Sequence, residues 1–287
     1  MRTRLCVLAL LAGCFTPHPR PPAGGVVLRI EGMVENAPFT FGRDDLPRLP
    51  RRAFEAVAPF ANEHQPARFE GVAVAQLLAD EMEVMREADI AVVHGEDGVA
   101  VPVPLPMIRQ LKPVLADSVG GERVEAWRAG AAPLQLAWPN VDHPGVDTDP
   151  RMPWWWVGGV SRIEIRSWTA TYGKALRVPS GASDAARLGV DVLASRCIGC
   201  HRVRGVGGTR GPALTGNDQA RARLPARLRT HLRAVSGIHD IAEPTPEEVA
   251  SVAAFLEAVA IAGEDDDEVI VPPRRAPERP LPPGSLR

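Results

Sequence analysis

The stretch Ser195–Val203 reads SRCIGCHRV. Two cysteines stand two residues apart, and a histidine follows the second directly. The chain has 287 residues and only four cysteines, Cys6, Cys14, Cys197 and Cys200. Each has a place outside a disulfide framework. A bare CxxC leaves zinc, thiol redox chemistry and haem open. A zinc site would want a second ligand pair nearby, and no cysteine follows Cys200. A thioredoxin-type motif would want a strand ahead of the cysteines. The residues ahead, DAARLGVDVLASR (184–196), read instead as a helix. Ser183 or Asp184 can cap it, and Leu188, Val192 and Leu193 form an apolar stripe.

His201 narrows the choice, because CxxCH is the spacing of c-type haem attachment. Two thioethers must reach two vinyl groups of one porphyrin, and the next imidazole then falls under the iron. After the motif comes GVGGTRGPALTG (205–216), a glycine-rich loop that lets backbone approach a flat ligand. TPEEVASVAAFLEAV (245–259) opens with a capping box, Thr245 as N-cap, Pro246 at the first position and Glu248 three residues on. Val249, Val252, Phe255, Leu256 and Val259 form its apolar face.

Together, the helix with Gly189 ahead of CIGCH, the GPAL loop at Gly211–Leu214 and the AFL-bearing last helix resemble a class I c-type cytochrome domain. The resemblance covers Asp184 to about Ala260 and implies an all-α cytochrome c domain over 184–262. It implies one covalent haem c on Cys197 and Cys200, His201 as proximal iron ligand, and Pro212 supporting His201 through its loop. The family usually supplies a methionine as second axial ligand, and here the chain departs from it. The six methionines are Met1, Met33, Met82, Met85, Met107 and Met152, all ahead of this segment. His239, in VSGIHDIAEPTPEE, stands nearly where the methionine is expected, and His231 is the other candidate. Histidine in place of methionine implies a lower potential. If neither histidine binds, an open site could take small gases.

Residues 26–168 follow another pattern. VVLRIEGMV reads as a strand, PFTFGRDDLPRLP as a short strand and a short helix, and ARFEGVAVAQLLADEM as strand, turn and helix. ADIAVVHGEDGVAVPVPL reads as a hairpin turned at GEDG. PLQLAWP and VSRIEIRSW are late strands. The expectation is a mainly-β α+β domain. The order of these pieces resembles the molybdopterin-binding domain of the sulfite oxidase family. That family holds molybdenum through a cysteine thiolate, and no cysteine lies between Cys14 and Cys197. The implied domain keeps the fold without molybdopterin, as a docking module. Trp154, Trp155 and Trp156 form either a partner-binding aromatic patch or packing for the sheet.

The N-terminus reads as an address. MRTR is basic, and LCVLALLAG is apolar but too short to span a bilayer. Leu11-Ala12-Gly13-Cys14 resembles a bacterial lipobox, which implies removal of residues 1–13 and diacylation of Cys14. Two acyl chains suffice for stable anchoring. Residues 14–25 are then a proline- and glycine-rich tether, 169–183 a linker, and 263–287 a charged, proline-rich disordered tail. The formal net charge of -2 excludes a global basic field for nucleic acid.

The expectation is an exported, lipid-anchored monohaem c-type cytochrome, facing the periplasm or cell exterior, that passes single electrons to or from a redox partner protein. Two alternatives remain: a molybdenum oxidoreductase of sulfite oxidase type with an in-chain haem acceptor, and a haem-based gas or redox sensor.

Overall fold

A computed structural model of the chain describes residues 25–59, 65–127, 133–149, 151–216, 230 and 245–262. The described chain is mixed α/β, about 32% helical, with several sheets and six helices. The first sheet is built from β1 (Val26–Gly32), β2 (Phe39–Gly42), β5 (Ile90–Gly95), β6 (Ala100–Pro104) and β10 (Val160–Arg166), in the order β2-β1-β10-β5-β6. β1 and β10 pair in parallel, with Arg29 opposite Arg162, and the other pairs are antiparallel. The second sheet runs β3 (Arg51–Ala56), β4 (Ala67–Ala73), β7 (Val114–Val119) and β8 (Glu122–Arg123), with β9 (Gln135–Ala137) also on β7.

Short helices link these strands: α1 (Val74–Asp80), α2 (Leu105–Leu111), α3 (Val124–Trp127) and α4 (Trp168–Tyr172). β4 passes straight into α1 without a turn. Between the two sheets lies a core that includes Leu28, Ile30, Phe69, Leu77, Leu115 and Trp138. Trp155 and Trp156 are buried in it. Trp156 meets Phe69 edge-on at 5.5 Å, and the Trp138 indole N–H donates to the Trp155 carbonyl at 2.9 Å. Two of the three consecutive tryptophans therefore pack the sheets.

β5 decides how the rest of the chain attaches. Its run IAVV is apolar at every position, the pattern of a strand covered on both faces. Ala91 and Val93 face the first core. Ile90 and Val92, with Ala100 of β6, face a second core. There they meet Tyr172, Leu176 and Val178 and the faces of α5 (Asp184–Val192) and α6 (Pro246–Ala262).

In α5, Ser183 is the cap, its hydroxyl accepting from the Ala186 N–H at 3.2 Å. The buried face is Ala186, Gly189, Val190 and Val192, continued by Leu193 just beyond the helix. Leu188, placed on the apolar stripe by the sequence, is 37% exposed. The reason is the crossing with α6. A Cβ on Gly189 would overlap the Ser251 carbonyl oxygen and stand 3.0 Å from the Phe255 Cβ, so α5 turns its smallest residue to the contact. In α6 the capping box forms in both directions: Glu248 accepts from the Thr245 N–H at 2.7 Å and donates its own N–H to the Thr245 hydroxyl at 3.1 Å. Val252, Phe255, Leu256 and Val259 are buried, while Val249 is only half-buried.

The expected division into a mainly-β domain and an all-α cytochrome c domain does not hold. The described C-terminal residues include a β-ladder, β11 (Arg202–Val203) with β12 (Val206–Gly207), and the chain is mixed α/β. The stretch read as a glycine-rich loop folds back because Arg204 (φ 46) and Gly205 (φ 81) both take left-handed backbone. That pair of conformations closes a two-residue hairpin. Among the described residues no helix is long and apolar enough to cross a membrane.

Candidate functional site

The cysteine–histidine cluster sits where α5 widens into a π-helical turn (Leu193–Cys197). The Cys197 carbonyl accepts from the N–H groups of Cys200 (3.1 Å) and His201 (2.9 Å), closing the loop upon itself. Cys197 is buried, Cys200 is half-buried, and both are free thiols. Burial pushes the Cys197 thiol up to about 12 and raises Cys200 as well. Both are therefore neutral thiols near pH 7, unlike the thiolate that disulfide exchange needs. Among the described residues no group of three or more His, Cys, Asp or Glu side chains could hold a metal ion, so this CxxC has no zinc partners there.

His201 is half-buried, and its Nδ1 lies 2.8 Å from the Pro212 carbonyl oxygen. A carbonyl can only accept, so Nδ1 carries a proton, and in the neutral ring the lone pair is then on Nε2. Gly211 makes the approach possible. Any Cβ there would overlap the imidazole ring, and its N–H donates to the Cys200 carbonyl at 2.8 Å. Leu214 is buried below the loop and donates its N–H to the Arg202 carbonyl at 2.8 Å.

Arg196, one residue before Cys197, is almost buried, with 7% of its side chain exposed, and pairs with Glu248 at 3.3 Å. This contact ties the π-turn to the first turn of α6. The capping glutamate thus has a second task that its capping-box position alone did not reveal.

The cluster also rests against the first sheet. The Gly199 carbonyl accepts from the Ala100 N–H at 2.8 Å, and the Gly98 carbonyl accepts from the Thr209 N–H at 2.7 Å. Arg210 pairs with Asp97 at 3.1 Å. Beside this contact opens a cleft of about 590 Å³ lined in part by Arg29, His94, Arg162, Gly98, Gly208 and Thr209. On its wall, Arg162 bridges Glu31 at 3.0 Å and the His94 Nδ1 at 3.0 Å. The His94 Nε2 lies 3.3 Å from Glu164, close enough for ion pairing once the imidazole is protonated. No sequence motif pointed to this β5–β6 contact, because it joins residues about a hundred positions apart.

Cys197, Cys200, His201 and Pro212 therefore lie in one loop system. Cys14, His231 and His239 lie outside the described residues, as do Cys6 and His64.

No family model matches the chain, and no curated protein does. Among solved structures, the sulfane dehydrogenase SoxCD from Paracoccus pantotrophus is similar over 50% of this chain, at 22% identity and a TM-score of 0.38. The match spans 38% of that enzyme's chain.

Proposed function

We propose that this chain carries one haem c on Cys197 and Cys200 and moves single electrons, with His201 on the iron. The observation that carries the reading is the held imidazole: His201, directly after the second cysteine, has Nδ1 fixed on the Pro212 carbonyl at 2.8 Å, which in the neutral ring leaves the Nε2 lone pair to bind a metal. Gly211 supports it, since the space its side chain would need is filled by that ring. Neutral thiols at Cys197 and Cys200 fit addition across two vinyl groups, each S–H delivering its sulfur to one carbon and its hydrogen to the other. When bound, the haem supplies the ferric/ferrous couple.

The chain's residues do the rest. Ser183, Gly189 and the Arg196–Glu248 pair hold the attachment loop on α6, and the β5–β6 hairpin covers its Gly199 side. In this reading His239 supplies the sixth ligand, with His231 as the alternative. Residues 1–13 export the chain, Cys14 anchors it by lipid, and the first two sheets serve as a module that docks a redox partner protein.

The test is expression with haem maturation, followed by a pyridine haemochrome spectrum and haem staining after denaturing electrophoresis. One covalent haem per chain is expected, lost when Cys197→Ala and Cys200→Ala are combined. Staining that survives the double substitution overturns the reading. His239→Ala should turn a low-spin spectrum into a five-coordinate high-spin one. An unchanged spectrum there removes His239 from the iron.

A further inference from the structure

We propose that Asp97 and Gly98, in the turn of the β5–β6 hairpin, are positioning residues for the His201 imidazole; this rests on the haem reading above. The path is short. The Gly98 carbonyl accepts from the Thr209 N–H at 2.7 Å, and the Asp97 carboxylate lies 3.1 Å from the Arg210 guanidinium. The next two residues are Gly211 and Pro212, and Pro212 presents its carbonyl to the His201 Nδ1 at 2.8 Å. The same hairpin holds the other side, since the Ala100 N–H donates to the Gly199 carbonyl at 2.8 Å. One turn of the first sheet thus grips both the loop that bears the imidazole and the segment that orients it.

The turn is built for that grip. Gly98 has φ +87, and a Cβ there would stand 2.7 Å from the Thr209 Oγ1 and 3.1 Å from the Arg210 backbone nitrogen. Asp97 braces the turn by accepting from the Val99 N–H at 3.1 Å. The Asp97–Arg210 pair is half-exposed and contributes little by itself. The Gly98–Thr209 backbone bond is the main hold. Donation from Nδ1–H strengthens Nε2 as a ligand, which favours ferric iron and lowers the potential. A hairpin pushed off Thr209 moves the Pro212 carbonyl from the ring and raises the potential.

The experiment uses the full, haem-loaded chain and compares Gly98→Ala with Gly121→Ala. Gly121 has nearly the same backbone (φ +88), with nothing within 4 Å of its Cβ position, so it matches the conformational strain without the contact. Covalent haem is measured by pyridine haemochrome and the midpoint potential by spectroelectrochemical titration. Gly98→Ala should keep its haem and shift the ferric/ferrous ratio toward ferrous about tenfold at fixed potential, or about 59 mV for one electron. Gly121→Ala should stay at the parent value. A Gly98→Ala potential no different from that of Gly121→Ala overturns the positioning role alone. A parent chain without covalent haem overturns the haem reading and this one with it. Should Gly98→Ala not accumulate, Asp97→Ala carries the test, with a shift in the same direction of about twofold; no shift overturns the proposal.

Discussion

Gly189→Ala tests how closely α5 and α6 approach. In an isolated helix the change is favourable by about 1 kcal/mol, because alanine is the better helix former. Here the new methyl would overlap the Ser251 carbonyl oxygen and press on the Phe255 Cβ at 3.0 Å. Forcing a methyl group into filled space costs about 1–3 kcal/mol. The upper end applies because the obstacle is backbone, which cannot rotate aside. α6 must move as a body, loosening Val252, Phe255 and Leu256, all at most 1% exposed. About 3 kcal/mol lost against about 1 gained leaves a net destabilisation of about 2 kcal/mol. At about 2–4 °C per kcal/mol for a large unit, the melting temperature should fall by about 4–8 °C. Thermal melts followed by circular dichroism on the full chain measure this, with the neighbouring exposed Leu188→Ala as control, expected within about 0.5 kcal/mol of the parent. A Gly189→Ala chain as stable as the parent, or stabilised by the helix propensity, would refute the close crossing.

Gly211→Ala should displace the Pro212 carbonyl from His201 and sharply reduce covalent haem yield by pyridine haemochrome; unchanged yield would mean the loop gives way freely. Glu248→Ala removes the side-chain half of the α6 cap, the acceptor of the Thr245 N–H, together with the partner of the nearly buried Arg196 (7% exposed), and should cost about 3 kcal/mol in urea unfolding. Glu248→Gln should cost clearly less; equal losses would mean the charge pair is immaterial. Glu164 is held near 2, from an ordinary value of 4.5, by His94 first and by Arg166, against the opposing effect of burial. A depressed carboxylate adds stability above pH 4.5 that disappears as pH falls toward 2. Glu164→Gln should therefore flatten the loss of stability between pH 4.5 and 2; an acid limb of the same slope would remove Glu164 as its cause.

Local signals made much of this chain readable. β1, β2, β5, β6, β9 and β10 stand where alternating or apolar runs and the GEDG turn place them, and both helix caps form as their residue types require. β3, α2, β7, β8, α3 and α4 escaped, and the first two show why. β3 reads RRAFEA, with charges on three of six positions, and is a strand because it ladders onto β4 along its whole length, where Arg51 also finds Asp117 on β7 at 2.7 Å. α2 begins among prolines that suit the end of a strand. The stripe through Leu188 misled because the buried face of α5 consists partly of Ala186 and Gly189, which an apolar count passes over. The β11–β12 ladder depends on Arg204 entering left-handed backbone, uncommon for a non-glycine residue. In the candidate site the cysteines and His201 stand out by their spacing, whereas Pro212 follows only from the family resemblance; the fold gathers the four in one loop system. The Arg196–Glu248 pair and the hairpin contact were not, because each joins residues far apart in sequence.

The parallel pairing of β1 with β10 fixes an order of events. Arg29 and Arg162 are direct partners on adjacent strands although more than a hundred residues separate them in the chain, so the first sheet cannot close until β10 has been made. Such distant pairing is slow. β5 and β6 lie beyond β10 in the sheet order, so the hairpin that receives Gly199 and Thr209 is aligned only once β10 is in place. The cysteines follow β10 closely in the chain. Folding therefore carries a built-in dependence: the seat for the cysteine loop is aligned only when strands from the two ends of the first sheet's sequence have paired.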